Sequence, residues 1–442
     1  MRLVKNKPRP GSVAVFVGIF GAVISALRLW LGNSDSLTQV LWAEDGLFPL
    51  CIDKADFISC AVDPFAGYLL VAPRMLAGIV SFFPLSDWAV VANVVAAMVA
   101  GVITGLAYLI LRRGGMGQVV SVLGGLIPVM IPIVGYEAVQ SLGNVYHWLL
   151  YVSVLAVVFS SALNRWVVFA LLLLTTLTMP TTVLLLPLVV LWWLRKSISL
   201  STLIAWSGAL LGGGLAQFLV ASNATKPRAV ELAPDGVSTW ANSLLPAFMT
   251  NIPGFGSAGP GPSDSPRIEQ WSWTWLILAA LVGLGVFLVV HGWSAGNSAT
   301  VGALVLTGVV LSAFPTIFDG PGNRYFVLPV MLLTLAVLVS LNELLFSSTW
   351  WVGALITVVA LGSWLPQLPA GGWRSTPAPA WSDEAARLSA LCKPEAPGVF
   401  PDQALAYQMV FTPFWPADYP GVEIHEPTHP NVGCLIGRKW LD

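Results

Sequence analysis

The chain has 442 residues, of which 56% are hydrophobic and only 10% are charged, and its mean hydropathy is +0.78. Because a soluble domain carries about 25% charged residues, this composition excludes an ordinary soluble protein and predicts a chain that lies mostly in lipid. The formal net charge of −1 gives no reason to expect nucleic acid as a partner. The 20 tryptophans are typical of aromatic belts at the two membrane interfaces.

Apolar runs of membrane length recur along the chain, beginning just after the basic residues Arg2, Lys5, Lys7 and Arg9. The first run is too long for the apolar core of a cleaved signal peptide, and it is long enough to cross a hydrocarbon core, which takes about 20 helical residues. We therefore expect an all-α polytopic membrane protein with about 11 transmembrane helices. They are predicted near residues 12–32, 85–111, 119–135, 146–163, 167–179, 181–194, 201–221, 271–290, 300–315, 325–345 and 350–365. The pair around Met179-Pro180 has short limbs, so a hairpin that reaches only partway across the bilayer is an open alternative.

The distribution of charge predicts the orientation. With a cytoplasmic N-terminus, the inner loops are short and basic and contain a single acid, Glu343, as the positive-inside rule requires. The C-terminus is then extracytoplasmic, and the polar chemistry lies on the outer side of the membrane. The bases assigned to the inner side are Arg2, Lys5, Lys7, Arg9, Arg112, Arg113, Arg165, Arg195 and Lys196.

Three outer segments are large enough to contribute to a site. Residues 33–84 form the first outer loop, whose second half from Gly67 to Pro84 predicts a helix lying at the interface. Residues 222–270 form the second, and its Gly/Pro/Ser-rich stretch 254–266 is either a substrate lid or an unstructured connector. Residues 1–365 thus make a transmembrane module, and the proline-rich tail 366–442 makes a small extracytoplasmic domain.

All four cysteines lie in predicted outer segments. An even number of cysteines in an oxidising compartment predicts disulfides. The simplest of the three possible pairings joins Cys51 to Cys60 within the first loop and Cys392 to Cys434 within the tail. Free, buried thiols are the alternative.

The run Trp42-Ala43-Glu44-Asp45-Gly46 places two carboxylates a few residues after the first predicted span. A turn at Asp45-Gly46 with a solvated Glu44 is the structural alternative. At the membrane surface, however, a carboxylate is the group that could take a proton from a hydroxyl nucleophile. Because adjacent side chains do not share one direction, we expect one of the two, Asp45 or Glu44, to be the base.

This acidic run, followed by Gly67-Tyr68 and Pro73-Arg74, resembles the GT-C superfamily of membrane glycosyltransferases, with a weaker similarity at Arg324-Tyr325. Members of that superfamily use polyprenyl-phosphate sugars, and their first outer loop carries the catalytic Asp or Glu and interfacial helices. The resemblance covers about the first hundred residues and the general layout. It implies the reaction class and a place in a bacterial cytoplasmic (inner) membrane, without identifying the sugar.

A lipid phosphate that leaves during such a transfer needs cations to hold its charge, and arginine offers a bidentate fork for phosphate oxygens. The candidates are Arg74 and Arg324, with Arg28 behind them near the outer end of the first span. An interfacial anchor is the alternative for Arg28, and a structural pair with Asp319 is the alternative for Arg324.

Polar and aromatic residues in the outer turns complete the predicted substrate site. His147 at the head of a helix either binds the sugar or phosphate or makes structural hydrogen bonds, and the preceding Asn144 could be the helix N-cap. The loop from Phe318 to Tyr325 combines an acid, a base, a tyrosine and glycines. The residues assigned to substrate binding are Tyr68, Tyr146, His147, Asp319 and Tyr325.

No glycine-rich nucleotide loop and no His-Glu-x-x-His motif occurs in the sequence. We therefore predict no cofactor and no metal site, although a divalent ion is compatible with the reaction class. The expected partners are a polyprenyl-phosphate-linked sugar, an extracytoplasmic glycan or a secreted protein such as a pilin as acceptor, and the bilayer. A flippase or transporter and a non-catalytic scaffold are the competing functions.

Overall fold

The computed structural model describes residues 10–32, 67–135, 139–223, 296–319 and 326–340, together with isolated positions elsewhere. Within these ranges every regular element is helical, which confirms the all-α prediction for this part of the chain. Short 3₁₀ helices cover Leu85–Asp87, Pro132–Gly135 and Pro180–Leu185. The α-helices are α1 (Pro10–Gly32), α2 (Val71–Val80), α3 (Trp88–Arg113), α4 (Gln118–Met130), α5 (Val145–Val158), α6 (Arg165–Thr178), α7 (Leu186–Leu194), α8 (Leu200–Asn223), α9 (Gly296–Asp319) and α10 (Val327–Ser340).

Three of the described helices, α1, α3 and α8, are long and apolar enough to cross a membrane. At 1.5 Å per residue they measure about 35–39 Å, more than the roughly 30 Å of a hydrocarbon core. Large apolar side chains such as Phe16 and Phe218 are exposed on them, as expected for surfaces that contact lipid. The chain therefore has the helices of a membrane protein, as its composition predicts.

Several predicted spans are shorter in the structure. The run near 119–135 is divided into α4, which ends at Met130, and a 3₁₀ helix that starts at Pro132, because Pro128 and Pro132 remove backbone donors. The helix predicted near 146–163 ends at Val158. The spans near 271–290 and 350–365 fall largely outside the described residues, so the total of about eleven stays a prediction.

Helices α6 and α7 form a hairpin that is interrupted where the sequence predicts a break. α6 ends at Thr178, Met179 has an extended backbone, and the 3₁₀ helix that follows leads into α7. α6 rises about 20 Å, which favours the interpretation of a hairpin that crosses only part of a bilayer. Met179 O accepts from the backbone N–H of Thr182 at 3.1 Å and from the buried hydroxyl of Thr182 at 2.7 Å, so the carbonyl at the break is fully bonded.

The helices bring their polar groups to two opposite ends of the bundle. We call one the basic end: Arg113 donates to Ala162 O there at 3.4 Å, and Arg165 donates to Ser201 Oγ at 3.1 Å. We call the other the distal end; it contains Gly32 at the end of α1, all of α2, and the hairpin tip at Met179. The charges at the basic end are those that the sequence assigns to the inner side, Arg112, Arg113, Arg165, Arg195 and Lys196.

α1 and α3 pack in antiparallel fashion with their backbones in close contact. A Cβ on Gly18 would lie 2.9 Å from Gly101 O, and one on Gly105 would lie 2.8 Å from Ala14 O. Small residues permit this approach, as is common between helices in membranes. The pair holds the end of α1 at Gly32 and the start of α3 at Trp88 close together at the distal end.

We expect Gly101→Ala to destabilise the bundle, because the new Cβ would lie 2.7 Å from Gly18 O and 2.9 Å from Ala22 Cβ. Overpacking of this kind costs about 1–3 kcal/mol. The matched control is Gly208→Ala in α8, where nothing lies within 4 Å of the added atom and alanine is the better helix former by about 1 kcal/mol. Thermal unfolding in detergent measures both, and a Gly101→Ala variant as stable as the parent would contradict the described packing.

Candidate functional site

Arg28 joins α1 to the end of α4 at the distal end. Its side chain is 0% exposed; Nη1 donates to Val129 O at 2.7 Å and to Ile131 O at 3.0 Å, and Nη2 donates to Pro132 O at 3.2 Å. These carbonyls are open because α4 ends at Met130, and a cation suits the negative end of a helix dipole. Both terminal nitrogens are thus occupied by protein, and a contact of Arg28 with phosphate stays a prediction.

Arg74 lies in the first turn of α2, and this short helix is present within the segment predicted as interfacial. The side chain is 6% exposed and donates from Nη2 to Pro64 O at 3.4 Å. α2 packs against α3, α5 and α6, so it covers the distal ends of these helices. It is preceded by Gly67, whose φ of +84° suits glycine, and by Tyr68, which packs against Leu70 and Ala77.

Gln217 near the C-terminal end of α8 binds both backbone groups of Leu69. Its Oε1 accepts from Leu69 N at 2.8 Å, and its Nε2 donates to Leu69 O at 3.2 Å. Nε2 also donates to Thr176 O at 3.0 Å. One buried carboxamide therefore connects α8, the end of α6 and the residues that lead into α2. Gln217 is not among the site residues predicted from the sequence; an amide inside an otherwise apolar span is the signal that would have identified it.

His147 and Tyr146 lie in the first turn of α5 at the distal end, and residues 139–144 form the turn before it. His147 is buried, and its ring centroid lies 4.2 Å from that of the half-buried Tyr146. Asn144 makes no side-chain capping bond to α5; its Nδ2 donates to Ser141 Oγ at 3.1 Å instead. The turn is therefore stabilised by its own polar side chains, and the histidine is held beside an aromatic ring.

Gln140, in the turn before α5, has two unfavourable features. It has a φ of +52°, which is uncommon for a residue other than glycine. Its side chain is 1% exposed, and neither Oε1 nor Nε2 has a hydrogen-bond partner among the described residues. A buried amide without partners costs about 1–3 kcal/mol. Sequence patterns give no indication of either property, because both depend on the conformation of the turn.

The predicted site residues divide into two groups. The structure places Arg28, Tyr68, Arg74, Tyr146 and His147 at the distal end, and α9 ends there at Asp319, of which only the backbone is described. Within the described ranges, no three His, Cys, Asp or Glu residues are grouped as ligands for a metal ion. The residues that lie outside the described ranges are Glu44, Asp45, Cys51, Cys60, Arg324, Tyr325, Cys392 and Cys434.

Comparison with known proteins does not assign a family. No protein-family model and no curated protein matches this chain. The resemblance to the GT-C superfamily therefore depends on the short motifs around Glu44-Asp45 and Arg74 and on the helical layout. Buried polar side chains are concentrated at the distal end, and they include Arg28 and Arg74, the buried charged residues of the described part of the chain.

We expect Arg28→Lys to lower the free energy of unfolding by about 1–3 kcal/mol, the range for lost hydrogen bonds to a charged group. Lysine keeps the charge but lacks the planar fork that reaches Val129 O, Ile131 O and Pro132 O together. Unfolding in detergent measures the change. Arg165→Lys at the exposed basic end is the control and should have little effect, and equal stability of Arg28→Lys and the parent would show that the three carbonyls do not need the guanidinium.

The same substitution at two glutamines should have opposite effects. Gln140→Met keeps the shape of the side chain and removes an amide without described partners, so we expect stability to rise by about 1 kcal/mol. Gln217→Met removes three hydrogen bonds and leaves the buried Leu69 backbone groups open, so stability should fall by about 2 kcal/mol or more. Thermal unfolding of the two variants side by side tests this, and a change of the same sign in both would contradict the described hydrogen bonding.

Proposed function

We propose that the chain is a membrane glycosyltransferase that moves a monosaccharide from a polyprenyl-phosphate donor to an extracytoplasmic acceptor, with inversion. The acceptor class is a cell-surface glycan or a secreted protein such as a pilin. The observation that carries this proposal is Arg74: a cation that is 6% exposed, on a short helix that covers the distal ends of the bundle. A buried arginine at that position suits the phosphate of a lipid donor.

Burial strengthens the action of such a cation. In a site that excludes water, a guanidinium interacts more strongly with an anion than it does in bulk solvent. Arg74 and Arg324 would hold the two non-bridging oxygens of the donor phosphate, in the bidentate geometry that arginine favours, and stabilise the charge that the phosphate gains as the sugar leaves. The bases at the opposite end of the bundle support assigning the distal end to the outer leaflet, because basic loops stay cytoplasmic.

The proposed base lies in the segment that joins α1 to α2, and both of these helices have their adjoining ends at the distal end. Asp45, or Glu44, takes the proton of the acceptor hydroxyl as the acceptor oxygen attacks the anomeric carbon. The bond from that carbon to the phosphate oxygen breaks, and the electron pair leaves with the polyprenyl phosphate. Tyr68, Tyr146, His147, Asp319 and Tyr325 would contact the sugar, and the stretch 254–266 would close over the site.

A transporter or flippase is the second candidate, and the interrupted hairpin favours it, because broken helices often line the substrate sites of transporters. The carbonyls at this break are already engaged, however. Gln217 Nε2 donates to Thr176 O, Met179 N donates to Thr175 O at 2.7 Å, and Thr182 Oγ1 donates to Met179 O. Carbonyls that already accept hydrogen bonds from the protein are not available to coordinate a transported ion, so this break suits a structural role better than an ion-binding one.

The proposal is tested by transfer of radiolabelled sugar from polyprenyl-phosphate donors in proteoliposomes. Asp45→Asn or Glu44→Gln should lower the rate by about 10²–10⁴-fold, the range for loss of a general base. Arg74→Ala should lower it by about 10²–10³-fold, and Arg74→Lys should restore part of the loss. Arg165→Ala, an exposed arginine at the basic end, is the matched control and should leave transfer unchanged.

Two results would overturn the proposal. If both carboxylate variants transfer sugar at the parent rate, neither Glu44 nor Asp45 is the base. If Arg74→Ala does so, this arginine does not bind the phosphate. Translocation of labelled lipid across the vesicle without any sugar transfer would instead support the flippase.

A further inference from the structure

The start of α2 is fixed by side chains that are more than 100 positions away in the chain. Gln217 is 4% exposed, and its carboxamide pairs with the N–H and the C=O of Leu69 at 2.8 and 3.2 Å. It thereby does for one residue what a neighbouring strand does in a sheet. The third bond, to Thr176 O at 3.0 Å, fixes the plane of the amide against α6.

Thr178 makes a second connection to the same short helix. Its Oγ1 accepts from Ala72 N at 3.1 Å and donates to Leu174 O at 2.8 Å, so the hydroxyl is oriented by its own helix. The first N–H groups of a helix have no intrahelical partner, and Leu70 at the N-cap of α2 provides no side-chain bond. The cap of α2 therefore comes from the tip of the α6–α7 hairpin.

Arg74 follows Ala72 by two residues and lies in the turn that these two connections hold. We propose that Gln217 and Thr178 are positioning residues that set the location of the Arg74 guanidinium relative to the bound donor. This inference rests on the proposed function, in which Arg74 holds the departing phosphate. A displacement of about 1 Å at a reacting group can lower a rate by about 100-fold, so a shift at the start of α2 affects the reaction through Arg74.

A positioning role differs from a purely structural one in two measurable ways. Positioning residues act through Arg74, so their effect should be absent once Arg74 has been removed, whereas effects of general destabilisation add to that of the arginine. A misplaced phosphate ligand also lowers kcat more than it raises KM, when the contact matters mainly as charge develops on the leaving group.

The first measurement is independent of any reaction. Hydrogen exchange followed by mass spectrometry should show faster exchange in peptides covering residues 69–75 of Gln217→Glu and Thr178→Val. Glutamate keeps the acceptor for Leu69 N but loses the donors to Leu69 O and Thr176 O, and valine removes the acceptor for Ala72 N. Thr178→Ser keeps the hydroxyl and should exchange like the parent. Unchanged exchange in both test variants would overturn the proposal.

The second measurement is a double-mutant cycle in the sugar-transfer assay. With Arg74 present, Gln217→Glu and Thr178→Val should each lower kcat by about 10–100-fold, and Thr178→Ser should restore it. In the Arg74→Ala background the same changes should have less than a twofold further effect. Independent, multiplying losses in the two backgrounds would show that Gln217 and Thr178 act on the fold as a whole and would overturn the positioning role.

The control is Thr202→Val at the basic end of α8, where Thr202 Oγ1 lies 3.0 Å from Ser199 Oγ. It removes a comparable polar contact from the same helix and should alter neither exchange at residues 69–75 nor kcat. The two proposals fail in different ways. If Arg74→Ala leaves transfer unchanged, the proposed function of Arg74 is wrong, while hydrogen exchange still reports on the contacts of Gln217. If Arg74→Ala abolishes transfer but the Gln217 and Thr178 variants transfer sugar at the parent rate, only the positioning role is wrong.

Discussion

A helix that ends inside an apolar environment leaves backbone groups without partners, and each such group costs several kcal/mol unless the protein supplies one. The described bundle has three such places at its distal end: after Met130, at Met179 and before Val71. In each case polar side chains supply hydrogen bonds: Arg28 after Met130, Thr182 at Met179, and Gln217 with Thr178 before and at the start of α2. The fold depends on this replacement of backbone hydrogen bonds by side-chain hydrogen bonds, because the chain can interrupt its helices only where such a side chain is within reach.

The need for side-chain hydrogen bonds at helix ends also explains why polar residues are concentrated at one end of an otherwise apolar bundle. Interrupted helices and short turns leave backbone N–H and C=O groups without intrahelical partners there, and these groups form hydrogen bonds with amides, hydroxyls and a guanidinium. Such a region is rigid where its hydrogen bonds are complete, as around Leu69, and strained where they are not, as at Gln140. The proposed transfer needs a buried cation such as Arg74 to be held rigidly against the donor phosphate. Buried groups with incomplete hydrogen bonding, such as Gln140, are often found close to functional sites.

Hydropathy and proline patterns predict α1, α3, α8 and the interruption at Met179-Pro180, because these features depend on local sequence alone. The charge of Arg28 within an apolar run also marks it as unusual, but its partners depend on where α4 ends. Gln217 and Leu69 are 148 positions apart, and no periodicity reveals a pairing over that distance. The positive φ of Gln140 has no sequence signal, since glycine or asparagine is the usual residue in that conformation.

The backbone contact between α1 and α3 has a consequence for the chain that joins them. These helices are closely packed through Gly18 and Gly101, so the segment that departs from Gly32 returns as α2 to the same end of the bundle. The segment that includes Glu44-Asp45 is thus attached at both of its ends to the end of the bundle that holds Arg74, an attachment that the proposed function requires.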